Sequence, residues 1–178
     1  MKVLVVVDMQ NDFITGSLGT PEAQAIVPNV KKKIEEYLDN NDVVFYTRDT
    51  HFDGYLDSKE GQKLPVEHCI HGTNGWQIHK DLLGYDRTDH RNEYIIDKYT
   101  FGCWELPGML NIFSDVDEIE LVGLCTDICV VSNALLLKSY FYDDAEISVD
   151  ATCCAGITPE THEAALKTME MCQINVKR

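Results

Sequence analysis

The strongest constraint on this chain is a set of short apolar runs that barely alternate. Lys2–Val7, Val43–Thr47, Tyr94–Asp97, Ile119–Gly123 and Glu146–Val149 are of this kind, and Gln173–Val176 is a sixth candidate. A strand with one wet face alternates apolar and polar residues. A run without alternation suits a strand covered on both faces, as in parallel sheets. Between these runs lie helical patterns. Glu22–Leu38 places Ala25, Ile26, Val30, Ile34, Tyr37 and Leu38 at helical spacing, and Ile128–Tyr140 and Pro159–Cys172 are the other clear segments. Thr158 before Pro159-Glu160 supplies an N-cap followed by proline at the first helical position. Strands alternating with helices predict an α/β chain with a mainly parallel sheet.

Bulk composition bounds the rest. The 178 residues, 44% hydrophobic, suffice for one domain with a substantial core and are too few for two. No apolar run approaches the roughly 18 residues of a membrane helix. Val3–Val7 is shorter than a signal-peptide core and meets Asp8; it reads as a first strand, and a cytoplasmic setting is expected. With 30 acids, 15 bases and a net charge of −15, the surface repels phosphate backbones. Nucleic acid is therefore not an expected partner. Lys31-Lys32-Lys33 reads as the solvated face of a helix. Seven cysteines, an odd number, argue against a disulfide framework. Most should be small buried hydrophobes, with one or two set apart.

In open α/β sheets ligands bind beyond the carboxyl ends of the strands. The runs end in Asp8, in Arg48-Asp49-Thr50-His51, in Asp97-Lys98, in Cys125-Thr126-Asp127-Ile128-Cys129 and in Asp150. An acid, a lysine and a thiol at three strand ends make a plausible catalytic group. A thiol attacks as thiolate, and a helix N-terminus favours that form. Thr126 or Asp127 capping the next helix would place Cys129 in its first turn, so Cys129 is the better nucleophile. Amides near Cys125 and Cys129 are candidates to hold an oxyanion. Asp8 is the candidate base, and Lys98 the group that orients it.

A second constellation lies in the long polar segment from His51 to Trp76, too long for an ordinary connection. In extended chain Asp49 and His51 point to one side. His68 would complete three metal ligands and leave positions open. Glu60, Glu67 and His71 are possible additional ligands.

These blocks together resemble the isochorismatase-like cysteine hydrolases, and within them the nicotinamidases. The resemblance runs from Val5-Val6-Val7-Asp8-Met9-Gln10-Asn11-Asp12-Phe13 through Thr47–His51, His68-Cys69-Ile70-His71-Gly72-Thr73 and Asp97–Phe101 to Gly123–Val130. It implies a three-layer α-β-α fold with a six-stranded, mainly parallel sheet. It implies residues 1–178 as one hydrolase domain, with a metal-binding insertion at about 49–76. It also implies an Asp8, Lys98, Cys129 triad, and a cis peptide at Leu124–Cys125 before the oxyanion amide.

Members convert nicotinamide to nicotinate and ammonia through a cysteine thioester. One divalent metal, usually zinc and otherwise iron or manganese, orients the pyridine nitrogen. Asp49, His51 and His68 match the ligands, and Glu60 sits where several members supply a fourth. Phe13 matches an aromatic residue of the substrate pocket. The tryptophan that members often carry before the metal histidine is missing from Lys63-Leu64-Pro65-Val66-Glu67. Leu64, Tyr99, Phe101 and Trp104 are candidates for that lining. The resemblance thus implies a small-molecule amide substrate and a homo-oligomer. The alternative is another amidase of the superfamily, such as a carbamoyl-amide hydrolase; a non-catalytic binding protein is a third reading. True isochorismatases lack the cysteine, so Cys129 argues against vinyl-ether hydrolysis.

Overall fold

A computed structural model describes residues 1–83 and 92–178. The first apolar run forms β1 (Lys2–Val7), and its position explains its composition. Val3, Val5 and Val7 enter one apolar core, while Leu4 and Val6 enter another on the opposite face. All five are fully buried. The other strands are β2 (Val43–Asp49), β3 (Glu93–Lys98), β4 (Glu118–Leu124), β5 (Glu146–Ala155) and β6 (Asn175–Lys177). They form a six-stranded sheet of order β3-β2-β1-β4-β5-β6, and every neighbouring pair is parallel.

The helices in chain order are α1 (Asn11–Ile14), α2 (Pro21–Asp39), α3 (Leu106–Leu110), α4 (Val131–Phe141) and α5 (Pro159–Met171). The α2 residues Ile26, Val27, Val30 and Ile34 pack with Leu4, Val6 and Val44 on one face of the sheet. Leu106, Leu110, Leu137 and Leu166, from α3, α4 and α5, cover the other. The result is the three-layer α/β arrangement. The starts of α2 and α5 are both capped, the latter by the predicted Thr158. Ala23 N–H donates to Thr20 Oγ1 at 3.0 Å, and Thr158 and Thr161 form a reciprocal capping box. Among the described residues no helix is long and apolar enough to cross a membrane.

Three expectations need correction. First, β5 does not end at Val149 but runs on to Ala155. The polar stretch Asp150–Thr152 disguises the continuation. It lies beside a register shift between Leu121 and Gly123, after which pairing resumes at Gly123 with Cys154. Asp150 is therefore inside a strand, where its carboxylate meets Lys33 at 2.8 Å. Second, Lys33 is not solvated like exposed Lys31 and Lys32, since it also lies 3.4 Å from the buried Glu120.

Third, neither Thr126 nor Asp127 caps an α-helix by its side chain. Cys125 precedes a π-helical turn, Thr126–Val130, and α4 starts only at Val131. The short helices α1 and α3 were not anticipated, because four or five residues leave no periodic signature. The cysteines are all unpaired, with Cys69, Cys103, Cys129, Cys153 and Cys154 buried, as expected of small hydrophobes.

Candidate active site

The parallel sheet brings the ends of β1, β2, β3 and β4 to one rim, and the polar side chains cluster there. Asp8 follows β1, with its backbone at φ +48. Its Oδ1 accepts from Thr47 Oγ1 at 2.7 Å, and its Oδ2 lies 2.7 Å from Lys98 Nζ at the end of β3. The same ammonium lies 3.2 Å from Asp49 Oδ1 and donates to Cys129 Sγ at 3.6 Å and to the Thr100 carbonyl at 3.1 Å. Three N–H donors thus serve four acceptors. Asp8, Lys98 and Cys129 are 0%, 1% and 6% exposed, so these charges interact with little screening.

Burial opposes charge on Lys98, but the Asp8 and Asp49 carboxylates outweigh it and hold the ammonium well above its ordinary pKa. Burial pushes Asp8 up, and Lys98 opposes that shift. Burial and then the Asp8 carboxylate push the Cys129 thiol well up, against the pull of Lys98. The resting thiol is therefore protonated and next to a carboxylate that can accept its proton. Cys125, largely buried, is pushed up to about 12.

The turn that carries Cys129 is built from an unusual chain path. Gly123 sits at φ +118, and a Cβ there would lie 2.2 Å from the Val7 carbonyl oxygen. No other residue permits so close an approach of β4 to β1. The Leu124–Cys125 peptide is cis, as the resemblance implied. Ile128 and Val130 N–H groups both donate to the Cys125 carbonyl, whereas no acceptor among the described residues takes the Cys125 N–H. The Asn133 amide, on α4, donates to the Cys129 carbonyl at 2.8 Å and to the Phe101 carbonyl at 3.2 Å, while its oxygen accepts from Cys103 N–H. Sequence reasoning missed Asn133, since a lone asparagine in an apolar helix carries no spacing signal.

The second constellation also assembles. One ligand atom each from Asp49, His51 and His68 lie within 4.8 Å of one another. Asp49 Oδ2 is 3.0 Å from His51 Nε2 and 3.6 Å from His68 Nε2. His68 Nδ1 bonds the Val66 carbonyl at 2.8 Å, which turns Nε2 inward, as ligating histidines require. Burial would raise Asp49, but His51, His68 and Lys98 hold it well below the usual carboxylate range. Two imidazoles and an ionised carboxylate, mostly buried and on one side, fit a divalent transition metal.

Gln10, fully buried and unnoticed in the sequence, fixes this ligand. Its Oε1 accepts from Asp49 N–H at 2.7 Å, and its Nε2 donates to the carbonyls of Asp49 and Trp76, each at 2.8 Å.

The remaining candidates divide. Glu60 Oε1 stands 3.8 Å from His51 Nε2, at the edge of the cluster. Glu67 is exposed, and His71 packs instead on Trp76 at 4.6 Å. The Phe13 ring lies 5.5 Å from His68. Tyr99 stacks on Phe52, Trp104 is 76% exposed, and Phe101 and Leu64 are exposed. None of these four has a described ring contact with the metal histidines. Besides Phe13, an aromatic side chain that does was missed: Tyr55 sits 4.6 Å from His51 and 5.0 Å from His68. Its hydroxyl is tied to the Leu64 carbonyl at 3.0 Å. The one available signal was its place in the polar segment after His51.

Comparison with known proteins now has a geometry to explain. The family model for the isochorismatase domain matches residues 2–177. The chain belongs to the isochorismatase family. A nicotinamidase/pyrazinamidase of Mycobacterium tuberculosis is 28% identical, over 99% of this chain and 98% of its own length. Among solved structures of the isochorismatase fold, the pyrazinamidase of Pyrococcus horikoshii in complex with zinc has a TM-score of 0.85 at 26% identity. The match covers 99% of this chain and 98% of that one. The N-carbamoylsarcosine amidase of Thermoplasma acidophilum has a TM-score of 0.79 at 29% identity, covering 99% and 95%. The isochorismatase fold therefore accounts for the sheet and its rim.

Proposed function

We propose that this protein hydrolyses nicotinamide, or a close ring carboxamide, to the carboxylate and ammonia, with Cys129 as nucleophile. The observation that carries the reading is Lys98 Nζ, within 3.6 Å of Cys129 Sγ, 2.7 Å of Asp8 and 3.2 Å of Asp49. One ammonium thus joins a thiol, a base and the Asp–His–His cluster. The names of the M. tuberculosis and P. horikoshii relatives favour the same substrate class.

In this reading Asp8 takes the Cys129 proton as sulfur attacks the amide carbon. The carbonyl oxygen gains charge beside the Cys125 N–H. The C–N bond then breaks, ammonia leaves with the proton held by Asp8, and a thioester remains on Cys129. Asp8 next takes a proton from water, the hydroxide oxygen bonds to the thioester carbon, and sulfur departs and is reprotonated. Lys98 stays charged throughout and offsets the negative charge that moves between Asp8 and sulfur. Asp49, His51 and His68 would hold one divalent ion, zinc in the first instance, which supplies a Lewis-acid contact for a ring nitrogen.

A second reading, hydrolysis of a carbamoyl amide, is favoured by the likeness to the Thermoplasma enzyme and by the missing tryptophan before His68. Ammonia release from nicotinamide by native, chelator-treated and zinc-restored protein separates the two. Turnover that falls with the metal and returns with zinc supports the first. Absence of turnover with metal bound, or turnover indifferent to chelation, sinks it. A cytoplasmic enzyme working as a homo-oligomer completes the proposal; sedimentation of the native protein tests the oligomer, and a monomer would overturn it.

A further inference from the structure

The turn beneath Cys129 is held from outside the catalytic group by α5. Thr126, its first residue, is fully buried. Its hydroxyl has one described partner, His162 Nδ1 at 2.8 Å. The next residue, Asp127, accepts the Ile157 N–H on its carboxylate at 3.0 Å. His162 lies in the first turn of α5, where its N–H donates to the Thr158 carbonyl. The loop before α5 passes so close that a Cβ on Gly156 would stand 2.9 Å from His162 Cβ and 3.0 Å from its Cα. The loop and the first turn of α5 are thus packed together, and the imidazole of His162 reaches Thr126 from that turn.

The direction of that bond follows from burial. Were Thr126 Oγ1 to accept from an Nδ1–H, the hydroxyl proton would have no acceptor in a dry site. The satisfied arrangement has the hydroxyl donating to a bare Nδ1, with the imidazole proton on Nε2. A protonated ring carries hydrogen on both nitrogens and cannot accept.

We propose that His162 is a positioning residue for the nucleophile. Neutral, it accepts the Thr126 proton and locks the turn that carries Cys129; protonated, it reverses the bond and loosens that turn. The inference rests on Cys129 being the nucleophile. A crevice of about 290 Å³, walled by Ile26, Cys154, Ala155 and Pro159 among others, reaches His162 and gives its ring access to solvent protons. The groups that face it are Glu163 on α5, Asp127 on the turn, Arg178 at the end of the chain, and Glu22 and Cys154 around the crevice. Burial lowers the His162 pKa, and Arg178 adds to the shift, while Glu163 and Asp127 oppose it. Cys154 is held far up by burial and stays a neutral thiol. At neutral pH the accepting form therefore prevails, and acid below the ordinary imidazole range is needed to remove it.

The test is hydrogen–deuterium exchange of the peptide spanning residues 126–130 at pH 7.5 and 4.5, corrected for intrinsic exchange, with kcat for nicotinamide measured alongside. In the unmodified protein, protection should fall about fivefold at the lower pH, the worth of one buried hydrogen bond. His162→Gln keeps a neutral acceptor and should show no such fall. Its kcat, normalised to its own value at pH 8, should fall less in acid than that of the unmodified protein. The ratio of the two profiles cancels titration of Asp8, Cys129 and the metal histidines. Thr126→Val should lower protection at both pH values and abolish the pH effect, while Thr126→Ser should retain it. Parallel loss of protection in the unmodified protein and His162→Gln, or no loss in either, overturns the inference. No turnover at any pH, with the His162-dependent protection intact, overturns the nicotinamide reading and leaves this one standing.

Discussion

Lys98 is the residue on which both halves of the site depend, because its Nζ touches Asp8, Asp49 and Cys129. Removing it leaves the fully buried Asp8 carboxylate without the cation that pairs it. Lys98→Ala is therefore expected to abolish turnover and to lower stability by about 3–5 kcal/mol, read from the denaturant midpoint. A stable Lys98→Ala protein would mean that the pair is not buried in solution. Asp8→Asn keeps the shape and removes the proton acceptor, so kcat for ammonia release should fall by at least about 100-fold. Cys129→Ala should be inert, while Cys125→Ala loses less, because the proposed reaction uses the Cys125 N–H and not its thiol. The reverse ranking of the two cysteines would move the nucleophile.

Gln10→Ala frees the Asp49 backbone without touching a ligand atom, and zinc affinity, measured by competition with a chelator, should drop about 10–100-fold. Unchanged affinity would show that β2 alone holds Asp49. The charged members of the site were legible in the sequence because acids, lysines and histidines at strand ends have few structural reasons to be there. Gln10, Tyr55 and Asn133 were not, because their roles lie in backbone bonds and ring contacts between segments far apart in the chain.

At the scale of elements, the strands were legible from composition and the start of α5 from its cap, since both signals are local. The turn of Cys129 was not. An α-helix starting near Thr126 and a π-helical turn before Val131 use the same residues, and only the tertiary path of β4 separates them. That path depends on Gly123, whose φ of +118 and contact with the Val7 carbonyl leave no space for a side chain. Gly123→Ala is expected to cost at least about 2 kcal/mol, through backbone strain and the clash together. The urea midpoint should shift with an unchanged slope. A shift under a few tenths of a kcal/mol would show that β4 moves away from β1 at little cost. The extension of β5 past Asp150 was hidden for a similar reason. Lys33 and the Thr152 N–H and hydroxyl satisfy its carboxylate, so a polar residue continues a strand that local pattern would end.

Over the whole molecule the net charge is −15, and part of the acid excess is anchored at the end of the sheet away from the catalytic rim. There Glu118, on β4, meets Lys2 on β1 at 2.7 Å and Lys177 on β6 at 2.8 Å. Burial would raise the Glu118 carboxyl, but the two lysines outweigh it and hold it down at about 2, against an ordinary 4.5. The sign follows from linkage. The folded state favours the ionised form more than the unfolded state does, so this contribution is fully present above about pH 4.5 and is lost as pH falls towards 2. Acid also relieves repulsion among the other carboxylates, which acts in the opposite direction. The comparison that isolates Glu118 is therefore a difference. The midpoint of chemical unfolding, measured from pH 6 to pH 2 for the unmodified chain and for Glu118→Gln, should show a gap that is constant above about pH 4.5 and closes below it. Added salt should narrow the gap at neutral pH, because the lysines are half-exposed and the pairs are screened. A gap that widens in acid would mean that Glu118 is not ionised in the folded protein.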